Sequence, residues 1–195
     1  MTKIGILALQ GDFEAHQKAL RACPDVEAPL VRTADEVRSV DALILPGGES
    51  TTVGKLMVRH GLDELIRQRA AAGMPLYGTC AGLILLARDI QGSDQPRLGL
   101  LDVEVARNAF GRQVESFEAD IAVPAVGPEP VRGVFIRAPA VTRIGPGVEV
   151  LGTLGGRVVA VRQGVILGTA FHPELTDDSR IHRLFAELAR RLASP

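Results

Sequence analysis

Cys80 lies in the stretch YGTCAGLILLA (residues 77–87), with Gly78 two positions before it and Gly82 two positions after it. This spacing fits G-x-C-x-G, the thiol form of the nucleophile elbow, in which a strand turns sharply into a helix and the neighbours must be small. The turn places the sulfur near a helix N-terminus, where the helix dipole favours the reactive thiolate. The pattern therefore predicts a nucleophile, with the amide of Ala81 facing a developing oxyanion. A buried structural cysteine is the alternative.

A cysteine nucleophile is usually activated by a histidine base. His172 follows VILGTAF (165–171), a predicted strand, and precedes Pro173 and Glu174. Since α/β folds build their sites where the C-terminal ends of parallel strands meet, Cys80 and His172 are expected at one edge of the sheet. Pro173 argues against a helix here, and in an extended segment residues two apart project to the same side. Glu174 is therefore predicted to accept the second N–H of His172 and orient its ring. Taken alone, His-Pro-Glu also fits an ordinary loop.

The other three histidines have less informative settings. His16 falls early in the first predicted helix, and His60 falls near a helix end. His182 is on the last predicted helix, where a solvated or core-edge side chain is expected. No group of His, Cys and carboxylate residues has metal-ligand spacing, so no metal site is predicted.

The stretch PGGES (46–50) ends another predicted strand at the same edge. Gly47 and Gly48 would expose backbone N–H groups of the kind that form oxyanion holes, although a plain tight turn also fits. A phosphate-binding loop is excluded, because five residues instead of four separate Gly48 from Gly54. In addition, Leu56 stands where such a loop needs the Ser or Thr that holds magnesium.

Short apolar strands alternate with helical patterns through the first half of the chain. The predicted strands are IGILAL (4–9), VEAPLVR (26–32), ALIL (42–45) and PLYGTC (75–80). Asp12, and Ser50 or Thr51, are expected to cap the helices that follow them. This alternation predicts βαβ units and a parallel sheet.

The second half changes to short β-rich runs separated by Gly and Pro. They are LLDVEVAR (100–107), SFEADIAV (116–123), VRGVFIRAP (131–139), VEVLGTL (148–154), GRVVAVRQG (156–164) and VILGTAF (165–171). These runs predict antiparallel additions to the sheet. SRIHRLFAELARRLA (179–193) is predicted to be an amphipathic helix, with Ile181, Leu184, Phe185, Leu188 and Leu192 at helical spacing. We expect a single α/β domain over residues 1–195, with three α/β/α layers around a mostly parallel sheet.

Composition narrows the class of partner. The formal net charge is −1 and no Lys/Arg block stands out, so neither a nucleic acid nor a membrane surface is expected as a partner. No apolar stretch approaches the roughly 20 residues needed to cross a bilayer. With two cysteines and no pattern of a secretory leader, a cytoplasmic, reducing setting with free thiols is expected.

Together these stretches resemble the class I (triad) glutamine amidotransferases, and more closely the glutaminase subunits of pyridoxal 5′-phosphate synthase, the PdxT family. The resemblance rests on LALQGDFEAH (7–16), LPGGESTT (45–52), YGTCAGLILLA, RNAFGRQVESFE (107–118), FIRAP (135–139) and HPELT (172–176), which span almost the whole chain in order. It implies the flavodoxin-like fold of that superfamily. It also implies that Cys80 is the nucleophile, His172 the base and Glu174 the residue that orients the base.

The resemblance implies a glutamine site as well. Its residues would be Gly47, Gly48, Glu49, Arg107, Ile136 and Arg137. An arginine can bind an α-carboxylate bidentately, and Glu49 can meet the ammonium group of an amino acid. The amides of Gly48 and Ala81 would form the oxyanion hole, and Gln10 is a further candidate for shaping that hole or a partner contact. The alternative is that Arg107 and Arg137 are solvated surface charges without a role in binding.

The implied reaction is hydrolysis of L-glutamine through a cysteine thioester, without a cofactor of its own. The ammonia would pass to a (β/α)₈-barrel synthase subunit of the PdxS type, which builds pyridoxal phosphate. Full glutaminase activity would require this subunit. Two alternatives keep a cysteine elbow: a γ-glutamyl hydrolase, which uses a similar Cys/His pair, and a redox or stress protein of the DJ-1 type. The second would not need the His-Pro-Glu segment.

Overall fold

The computed structural model describes residues 1–111 and 116–193, so residues 112–115 of the RNAFGRQVESFE segment lie outside the described part. The helices are α1 (Phe13–Leu20), α2 (Ala34–Arg38), α3 (Ser50–Arg59), α4 (Leu62–Ala71), α5 (Ala81–Leu86) and α6 (Arg180–Ala193). The strands are β1 (Thr2–Leu7), β2 (Val26–Glu27), β3 (Leu30–Val31), β4 (Ala42–Leu45), β5 (Leu76–Thr79), β6 (Ala87–Ile90), β7 (Leu101–Ala106), β8 (Ser116–Ile121), β9 (Val131–Ile136), β10 (Ala140–Ile144), β11 (Glu149–Leu154), β12 (Arg157–Gln163) and β13 (Ile166–Thr169). Two 3₁₀ turns cover Pro124–Val126 and Pro173–Leu175.

One large sheet organises the molecule. Its strand order is β2-β1-β4-β5-β13-β12-β10-β7-β6, with β3 paired to β1 and β11 paired to β12. The pairs from β2 through β13 are parallel, and β12 then pairs antiparallel with β13, β11 and β10. The predicted α/β fold, with a parallel sheet and antiparallel additions, is confirmed.

The parallel half of the sheet is buried because its strands are apolar on both faces. Leu43, Ile44 and Leu45 of β4 are fully buried, and each such side chain contributes about 1.5–3 kcal/mol when it leaves water. The helices form two groups. Helices α1 and α6 pack on each other and on β1, whereas α2 to α5 pack among themselves and α5 lies on β4, β5 and β13.

Three details of the strands differ from the sequence prediction. The stretch 26–32 is not one strand but two short ones, β2 and β3, which both pair with β1. Strands β6 and β10 were not predicted. The two runs that form β8 and β9 do not join the large sheet but make a separate antiparallel hairpin. Whether a short segment pairs as a strand depends on which neighbouring strand offers free backbone N–H and C=O groups. The local sequence does not encode that neighbour.

Helix α6 is amphipathic as predicted, but its buried face is shifted. The buried side chains are Ile181, His182, Phe185, Ala186 and Ala189. Leu192, which the spacing grouped with this face, is 53% exposed. None of the helices in residues 1–111 and 116–193 is long and apolar enough to cross a membrane.

Candidate active site

Cys80 stands at the junction between β5 and α5. Its backbone has φ 49° and ψ −101°, a strained conformation for a residue with a side chain. The Cys80 N–H donates to Thr169 O at 2.8 Å, which ties the turn to β13. A Cβ atom on Gly82 would overlap the carbonyl oxygen of Leu45, and one on Gly78 would overlap the backbone of Gly82. The small residues around the cysteine are therefore required by backbone contact.

His172 approaches Cys80 from the neighbouring strand, since β5 and β13 are paired in parallel. Its backbone N–H donates to Val134 O at 2.8 Å. Its Nδ1 lies 2.7 Å from Glu174 Oε1, which leaves Nε2 for the sulfur. Cys80 and His172 line the wall of the same cavity, and Cys80 Sγ lies 3.7 Å from the carbonyl oxygen of Ile136.

The segment after His172 is not extended, contrary to the sequence prediction. Pro173–Leu175 forms a 3₁₀ turn with His172 at its N-cap position and proline at its start. Proline is tolerated there because its missing N–H would have had no partner within the helix. The turn, and not the alternation of a strand, brings Glu174 beside the imidazole.

The pKa values of this pair favour opposite charges. Burial of the His172 ring opposes protonation, but hydrogen bonds and charge attraction to Cys80 and Glu174 raise its pKa to about 10. Burial would raise the pKa of Glu174, but the His16 and His172 rings beside the carboxylate hold that pKa well below its usual value. The pKa values thus favour an imidazolium on His172 beside an ionised Glu174 carboxylate.

A buried polar cluster lies behind Glu174. His16 Nε2 is 3.3 Å from Glu174 Oε1 and 3.1 Å from Thr79 Oγ1. His16 Nδ1 is 3.0 Å from His182 Nε2. Both of these histidines are fully buried, so the expectation of a solvated or core-edge His182 is wrong. Tyr77 packs its ring edge-on against both imidazoles.

In front of the cysteine is a cavity of about 390 Å³. Its wall contains Cys80, Ala81 and His172 and the six residues predicted to bind substrate, namely Gly47, Gly48, Glu49, Arg107, Ile136 and Arg137. It also contains Asp12, Ser50, Ile84, Asn108 and Leu175, which the sequence did not single out for binding. Glu174 lies behind His172 and outside this wall.

The Gly47-Gly48 loop is held from both sides. A Cβ on Gly47 would overlap the His172 ring, so the glycine lets this imidazole lie against the backbone. The carbonyl oxygen of Gly47 accepts from Asp12 N–H at 3.3 Å. Gln10 Oε1 accepts from Glu49 N–H at 2.8 Å, so Gln10 fixes the loop from beneath.

The helix caps near this loop differ from the prediction. Asp12 occupies the N-cap position of α1, but its side chain makes no capping hydrogen bond. Helix α3 is capped by Glu49, whose Oε1 accepts from Thr51 N–H at 3.2 Å, and Ser50 is already helical. Asp12 and Ser50 instead line the cavity, and the hydroxyls of Ser50 and Thr51 donate to Gln95 Oε1.

Arg107 and Glu49 place opposite charges at the cavity mouth. Arg107 Nη2 is 3.8 Å from Glu49 Oε1, and both side chains are partly exposed. Arg107 Nη1 donates to Gln95 Oε1 at 3.1 Å, and Thr51 Oγ1 donates to the same oxygen at 3.2 Å. Gln95 is buried and was missed by the sequence argument, since an isolated glutamine in a loop gives no signal.

Backbone strain is concentrated at this cavity. In the described part of the chain, four residues other than glycine have positive φ: Asp25, Cys80, Asn108 and Arg137. The last three line the cavity. Strained residues cost about 1–3 kcal/mol each and persist where the surroundings determine them, which is typical of functional sites.

These elements meet because β1, β4, β5 and β13 are consecutive parallel neighbours in the sheet. Gln10, the glycine loop, Cys80 and His172 each follow the C-terminal end of one of them.

The buried positions of His16 and His182 were not predicted from the sequence. The signal available for His182 was its place beside Ile181 on the apolar face of α6. Among the described residues, no group of His, Cys, Asp and Glu could hold a metal ion.

Comparison with known proteins gives consistent matches over nearly the full chain. Residues 6–191 match the model of the SNO glutamine amidotransferase family. A protein of Pelotomaculum thermopropionicum named pyridoxal 5′-phosphate synthase subunit PdxT is 57% identical over 185 residues, which cover 95% of this chain and 94% of that protein. The protein of the same name from Thermus thermophilus is 56% identical over 188 residues, covering 95% and 97% of the two chains.

A solved structure described as a glutamine amidotransferase has the same fold. It superposes with a TM-score of 0.91 at 53% identity and covers 96% of this chain and 98% of its own. The predicted resemblance to class I glutamine amidotransferases is confirmed at the level of family and fold.

Proposed function

The chain belongs to the SNO glutamine amidotransferase family, and from this membership we propose that it is the glutaminase subunit of a pyridoxal 5′-phosphate synthase. It hydrolyses L-glutamine to L-glutamate and ammonia and delivers the ammonia to a synthase subunit. The observation that carries the proposal is that Cys80 and His172, with Glu174 behind His172, stand at a cavity whose mouth holds an Arg–Glu pair. The names of the relatives, as subunits of this synthase, support the partner.

Glutamine binds with its α-carboxylate on Arg107 and its α-ammonium group on Glu49. The two side chains carry the complementary charges, and a zwitterionic head group can insert between them. The side-chain amide then extends inward past Ile136 and Arg137 to the sulfur. The size of the cavity, about 390 Å³, is adequate for an amino acid of this length.

In the first half-reaction the Cys80 thiolate attacks the Cδ carbon of glutamine, and the C=O electron pair moves to oxygen. The amides of Gly48 and Ala81 stabilise that oxyanion, and a donor of this kind is worth about 2.7–4 kcal/mol. The His172 imidazolium gives its Nε2 proton to the leaving nitrogen. Collapse of the intermediate breaks the C–N bond, releases ammonia and leaves a γ-glutamyl thioester on Cys80.

In the second half-reaction neutral His172 accepts a proton from water through Nε2, and the hydroxide so formed attacks the thioester. The C–S bond breaks, glutamate leaves, and the thiolate–imidazolium pair is restored. Glu174 keeps the proton of His172 on Nδ1 throughout, which leaves Nε2 as the exchanging nitrogen.

Free ammonia in water at neutral pH becomes ammonium, which is not nucleophilic. A product meant for synthesis must therefore pass to its acceptor without equilibrating with solvent. The synthase partner is a (β/α)₈-barrel subunit that docks at the cavity side of the sheet and receives the ammonia. We expect low glutaminase activity in the chain alone and a large increase when the partner is added.

The test measures glutamate release from L-glutamine by the wild-type chain and by Cys80→Ala, each with and without the synthase subunit. The proposal expects stimulation of the wild type and no activity in Cys80→Ala. A diazoketone analogue of glutamine should form one covalent adduct, on Cys80. Glutamate release by Cys80→Ala, or equal wild-type rates with and without the partner, would contradict it. Hydrolysis of γ-glutamyl peptides in preference to glutamine would instead favour a γ-glutamyl hydrolase.

A further inference from the structure

We propose that His16 is a positioning residue for the triad: it donates its Nε2–H to Glu174 Oε1, and His182 fixes the tautomer of His16 that makes this possible. The inference rests on the proposed function, since Glu174 matters only as the partner of the base. It extends the site by two residues that lie outside the cavity wall and that contact neither the cysteine nor the substrate.

The geometry at Glu174 shows why one donor is insufficient. The carboxylate is buried, and two ring nitrogens approach a single oxygen, Oε1: His172 Nδ1 at 2.7 Å and His16 Nε2 at 3.3 Å. The other oxygen, Oε2, has no hydrogen-bond partner among the described residues. Without His16, the orientation of the carboxylate would depend on the same imidazole that it is meant to orient.

The proton positions follow from the next contact in the chain of bonds. His16 Nδ1 and His182 Nε2 are 3.0 Å apart, so one of them must donate and the other accept. His182 Nδ1 is buried without a partner in the described residues. Buried N–H groups without an acceptor are rarer than unpaired acceptors. His182 therefore carries its proton on Nε2 and donates it to His16 Nδ1, and His16 carries its own proton on Nε2.

The opposite arrangement would incur two costs. If His16 held its proton on Nδ1, the unpaired nitrogen of His182 would bear an N–H with no acceptor. In addition, the bare Nε2 of His16 would turn a lone pair toward the Glu174 carboxylate. Thr79 Oγ1, 3.1 Å from the same Nε2, fits the proposed tautomer because a hydroxyl oxygen can share the N–H with the carboxylate.

The groups that face His16 come from three elements, and all of them favour a fixed cluster. They are Thr79 and Tyr77 of β5, Glu174 of the 3₁₀ turn with His172 before it, and His182 of α6. Burial and the nearby His16 lower the pKa of His182 to about 3, against the attraction of Glu174 and Asp178, so His182 stays neutral at neutral pH. The tautomer is therefore not disturbed by protonation of His182 in the working range.

The kinetic test compares His16→Leu with His16→Gln in the full chain together with its synthase subunit. Glutamine can place its side-chain N–H near the position of Nε2, whereas leucine cannot donate. We expect kcat of His16→Leu to fall about 10- to 100-fold, as for loss of a hydrogen bond to a charged group, with KM within about twofold. The acid limb of its kcat/KM profile should move to higher pH, because Glu174 loses a donor that favours its ionised form. His16→Gln should recover most of kcat and the wild-type limb.

His60→Leu is the matched control, because His60 is an exposed histidine at the end of α3 and should behave as wild type. Equal losses in His16→Leu and His16→Gln with an unshifted acid limb would overturn the proposal, since a merely structural role predicts that outcome. Wild-type kinetics in His16→Leu would also overturn it.

A second measurement does not depend on activity or on the stability of variants. Nitrogen-15 NMR of histidine-labelled wild-type chain should show His16 and His182 both protonated on Nε2 and unprotonated on Nδ1. A proton on His16 Nδ1 would overturn the inference even if the kinetics were affected. If the wild type does not hydrolyse glutamine with its partner, the proposed function fails, and the tautomers still decide whether this cluster is arranged as inferred.

Discussion

Gly47→Ala is the substitution for which the structure gives the most direct estimate. The new Cβ would lie 2.9 Å from His172 Nδ1 and 3.3 Å from Nε2, and it would overlap Cε1 between them. Since the optimal separation of non-bonded heavy atoms is about 3.5–4.0 Å, the His172 ring must move by roughly 1 Å. Gly47 does not have a positive φ, so alanine adds no backbone strain and the cost falls on the imidazole.

A shift of about 1 Å in a catalytic group costs on the order of 100-fold, or about 2.7 kcal/mol of transition-state stabilisation. We therefore expect kcat/KM for glutamate release, measured with the synthase subunit present, to fall about 100-fold. The melting temperature should change by only a few degrees, because the clash is with one side chain at the cavity wall and not with the backbone. The rate of Cys80 labelling by the diazoketone should fall in parallel.

Gly73→Ala is the matched control for this experiment. Gly73 has φ +95° and nothing within 4 Å of an added Cβ, so alanine strains the backbone away from the cavity. It should lower the free energy of unfolding by about 1–2 kcal/mol and leave kcat/KM unchanged. The reasoning would be refuted if Gly47→Ala kept kcat/KM within about threefold of wild type. It would also be refuted if activity fell only in proportion to the folded fraction.

Three further predictions concern the charges and contacts around the triad. Glu174→Gln removes the anion that holds protonated His172, so kcat should fall by about 10³-fold or more and the pKa of His172, followed by NMR, should drop from about 10. The folded-state pKa of His182, about 3, lies below its unfolded value. The free energy of unfolding of the wild type should therefore decrease as pH falls from about 6.5 toward 5. Urea unfolding at several pH values should show a smaller decrease for His182→Leu. Gln95→Leu removes the acceptor that holds Arg107, and we expect KM for glutamine to rise about 10-fold with kcat within about threefold. An unchanged KM there would show that Arg107 needs no such support.

The local order of the site was predictable from short stretches of sequence. The G-x-C-x-G spacing around Cys80 reflects backbone contacts within a single turn, so it can be recognised without knowing the rest of the fold. The alternation of apolar strands with helices likewise reflects how each segment buries its own side chains, and it predicts the parallel sheet. Parallel strands share one edge, so the approach of His172 to Cys80 follows from the same argument.

The distant contacts were decided by packing. His16 and His182 are 166 positions apart in sequence and meet 3.0 Å apart only because α1 and α6 pack together on β1. A histidine on a helix fits a solvated face, a core edge or a buried network equally well, and only the neighbouring element selects among them. Gln95 became a support for Arg107 for the same reason.

By itself, the sequence determined which residue types stand at each strand end, because steric limits of turns and the periodicity of burial act over a few residues. Tertiary structure alone decided the 3₁₀ turn that sets Glu174 against His172 and the buried histidines that complete its hydrogen bonding. Those contacts depend on the relative placement of whole elements. That placement minimises exposed apolar surface over the entire chain and is not written in any one segment.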